Sequence, residues 1–333
     1  MLRILHDTHI DFIRLWKVAL VFLAIFLIPS LVLIPLQGFN YSIEFTGGTA
    51  LRLKFKQAPQ LAELRATLSQ RGVQGAEIVS FGSPDEIIVR AQQTEQIASQ
   101  AAGAATVVER IRSALNEKYG AGSYEVLRTE AVSPRIGSEL RGQATIALVI
   151  AFALTLIYLA WRFEWRFSVA SVLATVHDII ATLAFMKYMD LEISVFVVGA
   201  VLTVIGYSMN DKVVVFDRVR ENLKSAKKES LYDLLNRSVN ETLPRTVMTG
   251  STTLACLLAL LIFGGEVIRP FAWIMTFGIL IGTFSSIYVA APLLLWIERK
   301  FPRGEGGKTH ISASQARAEP KTERKPRPSP ALR

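Results

Sequence analysis

The segment Gly206-Tyr207-Ser208-Met209-Asn210-Asp211-Lys212 lies inside a run that is otherwise hydrophobic from Ile193 to Phe216. A charged side chain at the centre of a bilayer costs about 2.5–3.5 kcal/mol on insertion scales and more in simulations. A membrane helix tolerates that cost where the group lines a water path, meets a counter-ion or carries a proton. Asp211 is therefore a candidate for any of these three roles. A helix ending at Met209 would instead leave Asn210-Asp211-Lys212 among the lipid headgroups, and the sequence admits both readings. Thr203, Tyr207, Asn210 and Asp211 recur every three or four residues and share a helix face. Lys212 points roughly 100° away from Asp211 and is a poor partner for it.

Arg245 opens the fifth apolar stretch, with Thr249 and Thr252 on its face. It stands at a cytoplasmic depth similar to that of Asp211. It can pair transiently with that carboxylate or serve only as an interfacial anchor. His177-Asp178 lie near the middle of the third stretch. Midplane ionisable residues carry function or tie helices together by hydrogen bonds, and both readings stay open. Gly278 and Gly282 form a Gly-x-x-x-Gly in the sixth stretch, a weak sign of close helix contact.

These groups need membrane helices to hold them. The chain is 51% hydrophobic, with a mean hydropathy of +0.34, unusual for a soluble protein. Six stretches can span a bilayer: 15–36, 144–161, 168–189, 193–216, 247–265 and 271–296. The first is too long for a signal peptide and has no small-residue cleavage site, so it reads as a retained anchor. Cys256 is the only cysteine, which excludes internal disulfides and reads as a small packing residue.

Lys and Arg in the short connections set the orientation. One side carries Arg3, Arg14, Lys17, Arg162, Arg166 and the basic connection from Arg218 to Arg245, whereas Asp190-Leu191-Glu192 on the other has none. Both termini are predicted in the cytoplasm and the long loop outside, in a multi-pass membrane protein. The net charge of +9 is a topology signal and requires no nucleic acid. The predicted parts are a cytoplasmic N-terminus at 1–14, the first span at 15–36, an exterior domain at 37–142 and five spans within 143–296. A cytoplasmic connection occupies 217–246, and a disordered basic tail occupies 297–333. That tail holds Gly306-Gly307-Lys308-Thr309, but Pro302 replaces the first glycine a phosphate loop needs, so nucleotide binding is rejected.

The exterior loop reads as a domain. Leu51-Arg52-Leu53-Lys54-Phe55-Lys56 alternates like a half-buried strand. A helix is predicted at 59–71 with Gly72 past its end, then strands at 76–81 and 86–91 around the turn Gly82-Ser83-Pro84-Asp85. A second helix at 94–118 and a strand at 124–132 follow. The order β-α-β-β-α-β is ferredoxin-like. The fold class is thus a polytopic α-helical membrane protein, six transmembrane helices with a ferredoxin-like α+β domain between the first and second. No zinc spacing, nucleophile elbow or cysteine-based site argues for an enzyme.

Three segments together resemble one family: Tyr41-Ser42-Ile43-Glu44-Phe45-Thr46-Gly47-Gly48-Thr49, Gly206 to Glu221, and Asn240-Glu241-Thr242-Leu243-Pro244-Arg245-Thr246. They resemble the SecF family, the smaller membrane subunits of SecDF export complexes, related to the RND transporters. Glu44 stands where that family usually has Asp, and Lys212 where a small polar residue is common. The resemblance implies SecD, the SecYEG translocon, an exported unfolded polypeptide and membrane lipids as partners. It implies protons as the coupling ion, with no cofactor. Asp211 would then be the proton relay and Arg245 its charge partner, supported by Tyr207, Asn210 and Thr249. Asp178 and His177 match a further family pattern whose role the resemblance leaves open. The relay would move the exterior domain through the first span. A small-molecule or lipid transporter of the RND superfamily, or a non-transporting assembly subunit, is the alternative.

Overall fold

The computed structural model describes residues 8–71, 73, 76–81, 83–91, 103–225, 229–265 and 267–302. Six of its helices are long and apolar enough to cross a membrane: Ile13–Gln37, Pro134–Arg162, Trp165–Tyr188, Val195–Ser225, Leu231–Phe263 and Arg269–Lys300. The first comprises a 3-10 turn and α1 (Trp16–Gln37). The next four are α5 (Pro134–Arg162), α6 (Trp165–Tyr188), α7 (Val195–Ser225) and α8 (Leu231–Phe263). The sixth is α9 (Arg269–Ser285), a π-helical segment at Ser286–Ala290, and α10 (Ala291–Lys300).

Several helices outrun the apolar stretches that announce them. The expected connection at 217–246 is mostly helical, because α7 and α8 continue past the apolar zone as a paired hairpin. Asn222 Nδ2 donates to Ser238 Oγ at 2.9 Å and Arg218 Nε meets Glu241 at 2.7 Å. Hydropathy marks only the part of a helix that lipid must cover, so charged extensions of this kind escape it. The N-terminal strap is tied to the same hairpin. Phe12 N donates to Asn236 Oδ1 at 2.9 Å, and Asn240 Nδ2 donates to Ile10 O at 2.8 Å.

Between the first and second spans, α2 (Ile43–Thr46), β1 (Gly48–Phe55), α3 (Leu61–Gln70), β2 (Glu77–Phe81), β3 (Ser83–Ala91), α4 (Gly103–Tyr119) and β4 (Tyr124–Val132) form the predicted domain. Its antiparallel sheet has the order β2-β3-β1-β4, with Leu51 opposite Val89 and Leu53 opposite Ile87. Alternation on β1 turns Leu51, Leu53 and Phe55 inward, onto Leu64 and Leu68 of α3 and Ile111 and Leu115 of α4. On the outward face Arg52 reaches Glu86 at 2.5 Å. The strand expected from 86 begins earlier, at Ser83, which already pairs with Phe81. Gly72, Gly82, the helix start expected at 94, and the tail beyond Pro302 lie outside the described residues.

Gly278 and Gly282 do mark a close contact. A Cβ on Gly278 would stand 2.2 Å from Val204 Cγ2, and one on Gly282 would stand 3.0 Å from Ser208 Cβ. The sixth span therefore lies directly on α7 at the depth of the polar groups. Gly278→Ala is expected to lower stability by about 1–3 kcal/mol through overpacking. Thermal unfolding in detergent measures this, and Val204→Ala in the same chain should restore most of the loss. Cys256, expected as a packing residue, is exposed on α8. That helix buries only a narrow stripe, including Gly250 and Leu257, in this part of its length.

Candidate functional site: two buried carboxylates on one serine pair

Asp178 and Asp211 reach the interior from different helices and meet different partners. Asp178, on α6, is buried with 1% of its side chain exposed, and Lys212, on α7, with none. Lys212 Nζ lies 2.5 Å from Asp178 Oδ2. Ser208 and Ser285 also donate to that oxygen, Ser285 at 2.7 Å. His177 Nδ1 is 2.9 Å from Asp178 Oδ1, while its Nε2 is buried without a hydrogen-bond partner among the described residues. Lys212 Nζ further donates to Ser208, to the hydroxyl and at 3.4 Å to the carbonyl. The result is a buried cluster in which one carboxylate meets one ammonium and two hydroxyls, and it ties α6, α7 and the sixth span together. The roughly 100° between adjacent helix positions turns Lys212 away from Asp211 and onto Asp178.

Asp211 is buried as well, at 8% exposure, but its partners are different. Thr246 Oγ1 on α8 donates to its Oδ1 at 2.7 Å, and Ser286 Oγ donates to its Oδ2 at 2.5 Å. Among the described residues no Lys, Arg or His nitrogen lies within ion-pair distance of it. Beside it opens a small depression lined by Tyr207, Asn210, Asp211, Val214, Arg245, Thr246 and Thr249. Arg245 is exposed at this depression. It faces the carboxylate's surroundings without contacting the carboxylate. Thr249 is satisfied locally, donating to Arg245 O at 2.8 Å.

Ser285 and Ser286 are consecutive, yet each serves a different carboxylate. Adjacent helix positions diverge by roughly 100°, so one hydroxyl faces α6 and the next faces α7. They sit where α9 gives way to the π-helical segment, a distortion frequent at functional sites. The sequence-predicted groups Tyr207, Asn210, Asp211, Arg245 and Thr249 thus converge on one depression. His177 and Asp178 belong to the separate paired cluster. Sequence reasoning missed Thr246, Ser208, Ser285 and Ser286. Ser208 and Thr246 stand inside the motif segments without a role, and for Ser285 and Ser286 the signal was hydroxyls inside an apolar run, which is common and uninformative singly.

The motif Glu44-Phe45-Thr46-Gly47-Gly48-Thr49 lies apart from both carboxylates, at the base of the loop domain. Ser42 caps α2, and Gly47 and Gly48 take φ of 73° and 140° to turn the chain into β1. A Cβ on Gly47 would lie 2.5 Å from Pro134 Cα, and one on Gly137 would lie 3.0 Å from Phe45 O. The two glycines let this turn pack directly on the start of α5.

Comparison with known proteins places this architecture. A family model for the protein export membrane protein SecD/SecF, C-terminal, matches residues 111–300. A second, for the SecD/SecF GG motif, matches residues 32–59. Protein translocase subunit SecF of Gemmatimonas aurantiaca is 53% identical over 305 residues, covering 91% of each chain. That of Desulfurispirillum indicum is 43% identical over 291 residues, 86% of this chain and 91% of its own. The crystal structure of SecDF from Thermus thermophilus, described as a translocon-associated membrane protein, superposes with a TM-score of 0.77 at 36% identity. That match covers 88% of this chain and 39% of the SecDF chain. A SecDF in a super-membrane-facing form superposes at 0.63 with 36% identity, covering 89% and 40%. The chain spans about two-fifths of those SecDF structures. It is a multi-pass membrane protein and belongs to the SecD/SecF protein-export family, among its SecF subunits.

Proposed function

We propose that this chain, with a SecD partner at the SecYEG translocon, uses the proton-motive force to promote export of unfolded polypeptides. Both termini lie in the cytoplasm and the loop domain on the outer face of the bacterial inner membrane. Asp211 takes up and releases the coupling proton. The observation that carries this reading is the contrast between the two carboxylates. Asp178 has Lys212 at 2.5 Å, whereas Asp211 is held by two neutral hydroxyls beside an open depression.

A hydroxyl can accept as readily as donate. Thr246 and Ser286 therefore satisfy Asp211 in either protonation state after a simple rotation. Asp178 cannot lose its charge without stranding the Lys212 ammonium in an apolar interior. It serves as a fixed tie between helices. Arg245, at the same depression, supplies positive charge for the ionised form of Asp211. One elementary charge moved through 100 mV corresponds to about 2.3 kcal/mol, enough to shift the balance between two helix packings.

Inner-membrane vesicles depleted of the chain and then restored with it test the function. Restored vesicles should export faster only while a proton gradient stands. A protonophore should remove the chain's contribution and bring export down to the level of the depleted vesicles. A contribution that persists after the gradient collapses would rule the reading out.

A further inference from the structure

The outer end of α7 is held by the loop domain as well as by its own connection. Ser194 caps it from within, its Oγ accepting from Val197 N at 3.3 Å. Glu44 reaches across and accepts from Val195 N at 2.7 Å. A carboxylate there meets both a free helix N–H and the positive end of the helix dipole. The preceding residues add backbone bonds. Ser42 N donates to Ile193 O at 2.9 Å and Ile193 N donates to Asn40 O at 2.7 Å, so Tyr41 and Ile193 form a parallel bridge. Asn40 Nδ2 donates to Asp190 Oδ1 at 2.6 Å, and Arg90 at the end of β3 pairs with Glu192. Residues 40–44 and 190–195 are therefore stitched together by backbone, amide and charge.

From that joint α7 runs unbroken and without proline to Ser225. Asp211 lies 16 residues along it, about 24 Å at 1.5 Å per residue. On its other side α2 is wedged against the start of α5 through the Gly47–Pro134 contact. The first span, by comparison, ends at Gly38, φ 65°, and enters the domain through residues without regular structure. Gly38 and Phe39 thus break the helical path between the first span and the joint.

We propose that Glu44 is a positioning residue that locks the loop domain to the outer end of α7. Displacement of this helix on proton exchange at Asp211 then drives the domain directly, by this joint and not by the first span. The inference rests on the proton-coupled reading above and adds the route by which the movement leaves the membrane. It requires residues 40–44 and 190–195 to travel as one body throughout the cycle.

A cross-link tests this. In a Cys256→Ser background, Tyr41→Cys with Ile193→Cys places two thiols on bridge partners. Adjacent strands lie about 4.8 Å apart, within the roughly 4.4–6.8 Å between Cα atoms that a disulfide spans. The oxidised protein, assembled with its partner in vesicles, should keep its gradient-dependent export. Glu44→Ala should lose most of it with the partner retained. Glu44→Gln, whose amide oxygen can still accept from Val195 N, should keep part. The cross-link introduced into Glu44→Ala should restore it. Export lost on oxidation of the cross-linked pair, or unaffected in Glu44→Ala, would overturn the inference. Wild-type vesicles run beside these separate the outcomes: if they show no gradient dependence, the proposed function fails and not the joint.

Discussion

Replacing Lys212 with Met is expected to destabilise the protein by about 3–5 kcal/mol, the usual cost of stranding one member of a buried ion pair. Lys212 exposes none of its side chain and Asp178 1%, so water cannot take the place of the missing ammonium. The hydroxyls of Ser208 and Ser285 would remain on Asp178 Oδ2, but two neutral dipoles do not offset a whole charge. The double change Asp178→Asn with Lys212→Met removes both charges and keeps a hydrogen-bonding amide for Ser208 and Ser285. Swapping a buried pair for neutral groups is often close to neutral, so the double variant should regain most of the loss. Thermal unfolding of the detergent-solubilised complex orders the three proteins. A Lys212→Met protein as stable as wild type would show that the pair does not hold α6, α7 and the sixth span together.

Asp211→Asn should have the opposite profile: stability nearly intact and gradient-dependent export abolished. The amide can accept from one of the Thr246 and Ser286 hydroxyls and donate to the other, so the change should cost no more than about 1 kcal/mol. It cannot cycle a charge, and the electrical work on each proton then has nothing to act on. Export from energised vesicles measures the loss, and a pull-down of the partner subunit shows whether the complex survives. Loss of the partner along with export would reduce Asp211 to a structural group. Asp178→Asn serves as the contrast, since it should fail by instability, like Lys212→Met.

The difference between these carboxylates was only half legible in the sequence. Period-two alternation exposed the strand at Leu51–Phe55 because one sheet face must be dry. Helical spacing placed Tyr207, Asn210 and Asp211 together, and they do line one depression. The same spacing showed that Lys212 points away from Asp211. It could not show where Lys212 goes, because Asp178 lies 34 residues earlier on another helix and nothing local encodes that meeting. Arg245 was legible as a neighbour of the site but not as a group that stands off without contact. Ser285 and Ser286 looked like ordinary small polar residues in an apolar run. Their division between two carboxylates depends on the turn of the helix and on the approach that Gly278 and Gly282 allow. The charged hairpin of α7 and α8 was read as a connection, since hydropathy falls silent where a helix leaves lipid. Glu44 was legible as part of a motif, while its partner, the Val195 N–H, came only with the tertiary structure.

In the proposed mechanism Asp211, and not Asp178, exchanges the proton. Infrared difference spectroscopy of the assembled complex in lipid, between acidic and neutral pH, measures this most directly, because a protonated carboxyl has its own carbonyl band. In wild type, acidification is expected to raise a buried-carboxyl band that Asp211→Asn removes. The remaining spectrum should carry no sign of Asp178 losing its charge. A band that survives in Asp211→Asn, or a wild type with no buried-carboxyl change, would contradict the account.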